Sequence, residues 1–138
     1  MKVQLSMVGL MVTDMARALA FYRELGLDIP LDEDAKPFVL FRMESGVSLF
    51  WDTVFADRID PTRMAFTGGY QSMLEFYLGE NSAVDAMYEK LTAAGYHGRS
   101  APHQTSGPYA AMVDDPDGNA LLLTSDTGGL ESASPDSH

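Results

Sequence analysis

The chain contains no cysteine. Disulfides, thiolate metal sites and cysteine nucleophiles are thereby excluded. Basic residues are scarce, with 9 Lys and Arg against 20 Asp and Glu, for a net charge of -11. Nucleic acid and anionic membranes attract basic surfaces, so neither is an expected partner. A cationic small molecule suits this charge better. Long apolar runs are also missing. The opening "MKVQLSMVGLMVTD" carries one lysine and a short apolar stretch broken by Thr13 and Asp14. It predicts neither a signal peptide nor a membrane span, and the cytoplasm is the expected compartment. Histidine is rare: His97, His103 and His138 are the 3 in the chain, and no two stand at ligand spacing. His97 and His138 read as exposed surface. His103 lies in "SAPHQTSGP", read as a loop before a strand, and such a loop can overhang a site.

The length of 138 residues suffices for one domain with a real core. The expected bounds are residues 1–126, with 127–138 a disordered polar tail rich in Gly, Ser and Asp.

Within those bounds the sequence repeats. "TDMARALAFYRELG" places Met15, Ala18, Leu19, Tyr22 and Leu25 on one helical stripe, with Thr13 as N-cap and Gly26 as C-cap. "SAVDAMYEKLTAAG" does the same with Val84, Met87, Tyr88, Leu91 and Ala94, capped by Ser82 and ended by Gly95. Each position differs from its counterpart by 69. The strands leading into the helices, "MVGLMV" and "MLEFYL", repeat at an offset of 66, the difference being the connector Gly79, Glu80 and Asn81. After the first helix come "PFVLFRM" and "VSLFWD", and after the second "PYAAMV" and "NALLLTS". Each half reads β-α-β-β. There is room for one more short strand near Leu27 to Leu31 and near Tyr96 to Arg99. Two caps, two terminators and two stripes in register point to duplication. The modules are bounded at about 1–66 and 67–126.

With this repeat, "VGLMVTDMARALAFYRELGL" and "GPYAAMVDDPDGNALLLTSD" resemble the vicinal oxygen chelate superfamily of glyoxalases, extradiol dioxygenases and bleomycin-resistance proteins. The resemblance runs from about Lys2 to Ser125. It implies an α+β fold of two βαβββ modules whose curved mixed sheets form a cup, and a homodimer. It also implies four equivalent ligand places, on the first and last strand of each module. In metal-dependent relatives these hold His, Gln or Glu. Here they fall on Met7, Met73, Leu122 and, in the last strand of the first module, Leu49. Ser48 and Phe50, one step either side of Leu49, are no better as ligands. Such side chains do not suit zinc, nickel, iron or manganese. No metal and no other cofactor is expected.

Alternation along the strands assigns the cup face. On the first strand it takes Met7, Gly9 and Met11, and on its repeat Met73, Glu75 and Tyr77. The last strands add Leu49 and Trp51, and Ala120, Leu122 and Thr124, with Tyr109 near the rim. Methionine makes adaptable binding walls, aromatic rings stack or hold cations, and Gly9 admits close approach. The competing reading is that these side chains fill a core. Glu75 resists it, because a carboxylate buried unpaired costs several kcal/mol. About 200 Å² of apolar ligand surface would contribute on the order of 5 kcal/mol before association costs. The expected function is sequestration of a small, largely apolar or aromatic compound, cations included, without catalysis. The alternatives are a metal-dependent glyoxalase-like lyase or extradiol-dioxygenase-like enzyme with other ligands, and a closed domain that only mediates assembly.

Overall fold

The computed structural model describes residues 1–62 and 72–125. The expected tail at 127–138 lies outside the described residues. The chain divides into two compact units, Met1–Gly69 and Tyr70–His138. Both are mixed α+β, and each builds an open sheet, of three and four strands.

The first unit runs β1 (Met7–Met11), α1 (Met15–Leu25), a 3-10 turn (Leu31–Ala35), β2 (Phe38–Arg42), β3 (Ser48–Asp52) and a short helix α2 (Phe55–Arg58). Its strand order is β1-β3-β2, with β1 parallel and β2 antiparallel to β3. Helix α1 starts on Asp14, whose carboxylate accepts from the Arg17 N–H at 3.1 Å. Thr13, the expected cap, instead accepts from Arg17 Nη2. Both residues are competent caps, and the longer reach of Asp14 lies in line with the third helical N–H. Gly26 ends the helix at φ 116, where a side chain would be strained.

The helix buries its expected stripe together with Phe21. Phe21, Tyr22 and Trp51 form an edge-to-face chain, with centroids 5.0 and 5.1 Å apart. The strand expected near Leu27 to Leu31 does not form. Arg23 reaches out of α1 and donates to the carbonyls of Ile29 and Pro30 at 2.7 and 2.8 Å, and to Asp34 at 2.8 Å. These bonds turn the segment into the 3-10 turn before it can align with a strand.

The second unit runs β4 (Met73–Tyr77), α3 (Asn81–Ala93), β5 (Gly98–Gln104), β6 (Tyr109–Asp114) and β7 (Ala120–Thr124). Its order is β4-β7-β6-β5, with β4 and β7 parallel. Helix α3 begins earlier than expected. Glu80, not Ser82, is its N-cap, because Gly79 at φ 92 turns the chain at the connector. The Ser82 hydroxyl donates to the Glu80 carboxylate, and no side chain caps the helix. Val84 and Leu91 are its buried residues, while Ala94 is exposed beyond its end. They cover Ala111, Val113, Leu121 and Leu123, all buried. The β6–β7 turn is built on Asp115. Its carboxylate accepts from the Asp117 and Asn119 N–H groups and from Asn119 Nδ2, at 2.8 to 2.9 Å. Gly118 supplies the positive φ of 86 at the exit.

Candidate functional site

Strand registers decide which side chains share a face, because directly paired residues point the same way. In the first sheet Leu10 pairs with Trp51 and Val8 with Leu49. Trp51 is 0% exposed and packs on Tyr22 of α1. Leu49 and Trp51 therefore belong to the helix side, and their expected place on the cup face is corrected. The outward face carries Ser48, Phe50 and Asp52 instead, paired with Met7, Gly9 and Met11. In the repeat, Phe50 rather than Leu49 is the counterpart of Leu122. Gly9 pairs with Phe50 as Glu75 pairs with Leu122.

Gly9 has a different use from the one expected. A Cβ built there would lie 2.5 Å from Phe50 Cε1 and 2.7 Å from Cε2, with Cζ closer still. The Phe50 ring occupies the space that the missing side chain opens, so Gly9 admits a neighbouring ring and not a ligand. Phe50 also stacks on Phe38 at 5.2 Å and 27°. Leu40, on the same face, is exposed. Met7 is exposed and Met11 half-buried around this aromatic pair. Asp52 is buried, its carboxylate accepting from the Val54 N–H at 2.8 Å.

The outward face of the second sheet has a different content. Along β4 it presents Met73, Glu75 and Tyr77, with Met73 47% and Tyr77 56% exposed. Ala120, Leu122 and Thr124 lie beside them on β7, and Asp114, Met112 and Ala110 beyond those on β6. Glu75 is exposed, and its Oε2 accepts from the Thr124 hydroxyl at 3.0 Å. Thr124 is itself 0% exposed. Among the described residues no cation is paired with Glu75. Asp114, by contrast, is fully engaged. Arg99 forks onto it at 2.8 and 3.0 Å, and His97 Nδ1 lies 2.8 Å from its other side. His97 is exposed, as expected, and is also hydrogen-bonded to the Asp114 carboxylate that Arg99 pairs with. His103 sits on β5 rather than in a loop, opposite Ala110, with Nδ1 2.8 Å from the Ala101 carbonyl. His138 lies outside the described residues.

Tyr109 is not at a rim of this face. It shares the helix side with Ala111 and Val113, and its hydroxyl donates to Asp85 of α3 at 2.6 Å. That bond to a carboxylate, more than desolvation, raises the Tyr109 pKa above its ordinary 10.0. Tyr109 ties helix to sheet and leaves the set of candidate site residues.

The places that the resemblance implies for ligands thus carry Met7, Met73, Leu122 and, by the strand register, Phe50 in place of Leu49. None offers the imidazole nitrogen or carboxylate oxygen that a catalytic divalent metal takes. Among the described residues no group of three His, Asp or Glu side chains is placed to hold an ion. The donor set does not fit the family's metal. Among the described residues no helix is long and apolar enough to cross a membrane.

The family profile of the glyoxalase/bleomycin resistance protein/dioxygenase superfamily matches residues 4–123. The chain belongs to that superfamily. Solved structures agree on the fold. A hypothetical protein from S. aureus superposes with a TM-score of 0.76 at 21% identity, covering 91% of this chain and 95% of that one. A family enzyme from Burkholderia phytofirmans PsJN gives 0.75 at 22%, covering 88% and 97%. A lactoylglutathione lyase from Agrobacterium tumefaciens gives 0.61 at 23%, covering 89% and 93%. Identities this low extend the likeness to the fold and not to an activity. No protein with a curated description matches the chain in sequence.

Proposed function

We propose that this chain is a metal-free binding member of the superfamily, similar in mode to bleomycin-resistance proteins. It takes up a small, largely apolar or aromatic compound, cations included, and lowers its free concentration without a covalent step. The observation that carries this reading is the outward face of the second sheet. There Met73 and Tyr77 stand exposed on either side of Glu75, with Leu122 beside them. Exposed thioether and phenol groups flanking a carboxylate give an adaptable wall, a flat surface and a charge. Met7 and Met11 of the first module present the same chemistry next to the Phe38–Phe50 pair. The apolar side chains at the ligand places support binding over metal catalysis, because they remove the groups that would polarise a substrate oxygen.

A homodimer in the cytoplasm is part of the same proposal, and sedimentation velocity checks the stoichiometry. Binding is tested by calorimetry and thermal shift with bleomycin-type and polyaromatic compounds. Saturable heat at one site per chain, with a raised melting temperature, is expected. Metal analysis of protein purified without chelator supplies the opposing result. About one zinc, nickel, iron or manganese per chain would replace binding with metal chemistry.

A further inference from the structure

The outward face of the first sheet carries a charge of the opposite sign to Glu75. Its strand register sets three rows across β1, β3 and β2. Met7 lies beside Ser48 and Arg42, Gly9 beside Phe50 and Leu40, and Met11 beside Asp52 and Phe38. Met7, Leu40 and Phe38 are large, apolar and exposed, and Phe38 stacks on Phe50 between the strands. Apolar surface gathered on one open face marks a place where something docks.

The two ends of this face differ. At one end Asp52 is buried, and its carboxylate accepts from the Val54 N–H. At the other end Arg42 is exposed, and among the described residues no hydrogen bond or ion pair engages it. Acids outnumber bases 20 to 9 in this chain, so an arginine without a carboxylate stands out. Arg23, Lys36 and Arg99 each hold one, from Asp34, Glu33 and Asp114. Glu44, two residues beyond Arg42 in the turn before β3, does not bridge to it. Ser48 is paired directly with Arg42, with Cβ atoms about 5 Å apart, so a small polar group lies beside the cation.

We propose that this face binds a small monocarboxylate carrying an aromatic body. The guanidinium fork takes both carboxylate oxygens through parallel N–H···O bonds. One cation matches one negative charge, and a phosphate dianion would bring a second with no partner. Same-face neighbours on a strand stand about 7 Å apart. From Arg42 the first such step reaches Leu40 and the second Phe38. A ring joined to the carboxylate by one or two methylenes therefore lies over Leu40 and Phe50. The net charge of -11 repels anions at long range. At physiological salt that field is screened over about 8 Å, so contact with Arg42 decides the sign of the ligand. Nothing in this assignment requires the Glu75 face to bind.

The test is calorimetry of the full chain at physiological salt with naphthylacetate, naphthylethanol and naphthyl phosphate. Naphthylacetate is expected to bind at least tenfold more tightly than either of the others. Arg42→Gln is expected to lower its affinity about tenfold and leave the alcohol unchanged. Arg42→Lys keeps the charge without the fork and is expected to recover only part of the loss. Leu40→Ser is expected to weaken acetate and alcohol alike severalfold. Glu75→Gln is expected to leave naphthylacetate unchanged, which separates this site from the one on the second sheet. Equal binding of acetate and alcohol, or an acetate preference that survives Arg42→Gln, overturns the proposal. Tighter binding of the phosphate overturns the single-charge argument, and a loss in Glu75→Gln moves the acid to the other sheet. Absence of binding by all three probes overturns the site. Loss of self-association in Leu40→Ser, with no probe bound to the parent chain, assigns the face to a second copy and likewise overturns it.

Discussion

Replacing Gly9 by alanine tests whether its role is to seat the Phe50 ring. Gly9 is not among the glycines with positive φ, so its backbone accepts any L-residue. Space is the constraint, since the new Cβ would lie 2.5 Å from Phe50 Cε1. The half-buried ring must swing outward. It then gives up its stacking on Phe38, about 0.5–1.5 kcal/mol for an aromatic pair. It also gives up its cover over the strand, about 1 kcal/mol for some 40 Å² of apolar surface. Alanine returns about 0.5–1 kcal/mol relative to glycine within a strand. The net expectation for Gly9→Ala is a loss of about 1 kcal/mol. In a Phe50→Ala background the obstacle is gone, and the same change is expected to stabilise by about 0.5–1 kcal/mol. The coupling, about 2 kcal/mol, is large for a double-mutant cycle. Urea unfolding of the four proteins measures it, with a midpoint shift of about 0.5 M for the single variant at an ordinary slope. Equal effects of Gly9→Ala in both backgrounds would refute the steric account.

Two further outcomes follow from side chains outside the binding face. The neutral Tyr109 hydroxyl donates to Asp85, and that bond raises its pKa above 10.0. A raised folded-state pKa means a contribution fully present below about pH 10 and lost as pH climbs through the folded value. The stability gap between wild type and Tyr109→Phe should therefore be flat from pH 7 to 9 and close above pH 10, read from urea midpoints. Asp115→Ala removes the acceptor of three hydrogen bonds from a buried turn carboxylate. It should cost about 3 kcal/mol, with Asp115→Asn recovering part of it because one oxygen remains. A cost under 1 kcal/mol would show that Gly118 and the backbone bonds between Asp115, Gly118 and Asn119 hold the turn without the carboxylate.

The helices and the duplicated register were legible because their signals are local. The stripes of α1 and α3 and the glycines after them need no tertiary knowledge. The last strand of the first module was harder. In "VSLFW" both parities contain large apolar groups, so Leu49 and Trp51 could be read on either face. The deciding signal was polar: Ser48 and Asp52 share a parity with Phe50, and the all-apolar set of Leu49 and Trp51 belongs against the helix. The face of Tyr109 is not legible in the sequence because Ala110 and Ala111, small on both sides, leave β6 without alternation. Met7, Met73, Glu75, Tyr77 and Leu122 are legible on the outward faces because the acidic turn before the first helix, the 66-residue repeat and the Asp-Pro-Asp-Gly turn fix parity. The engagement of Glu75 by Thr124, 49 residues away, was not legible because it is a diagonal contact between strands distant in sequence.

The Arg23 fork has a consequence for what the first sheet can become. By holding Leu31–Ala35 as a 3-10 turn it leaves β2 as a terminal strand of its sheet, where β5 extends the corresponding sheet of the second unit. Terminal strands invite further strands to add to them, in assembly or in aggregation. This one is five residues long, preceded by Lys36 and Pro37, and closes on Arg42. Proline offers no N–H for a new ladder, and the cations repel a copy of the same strand. The β2 edge is thus guarded against lengthening the sheet by strand exchange.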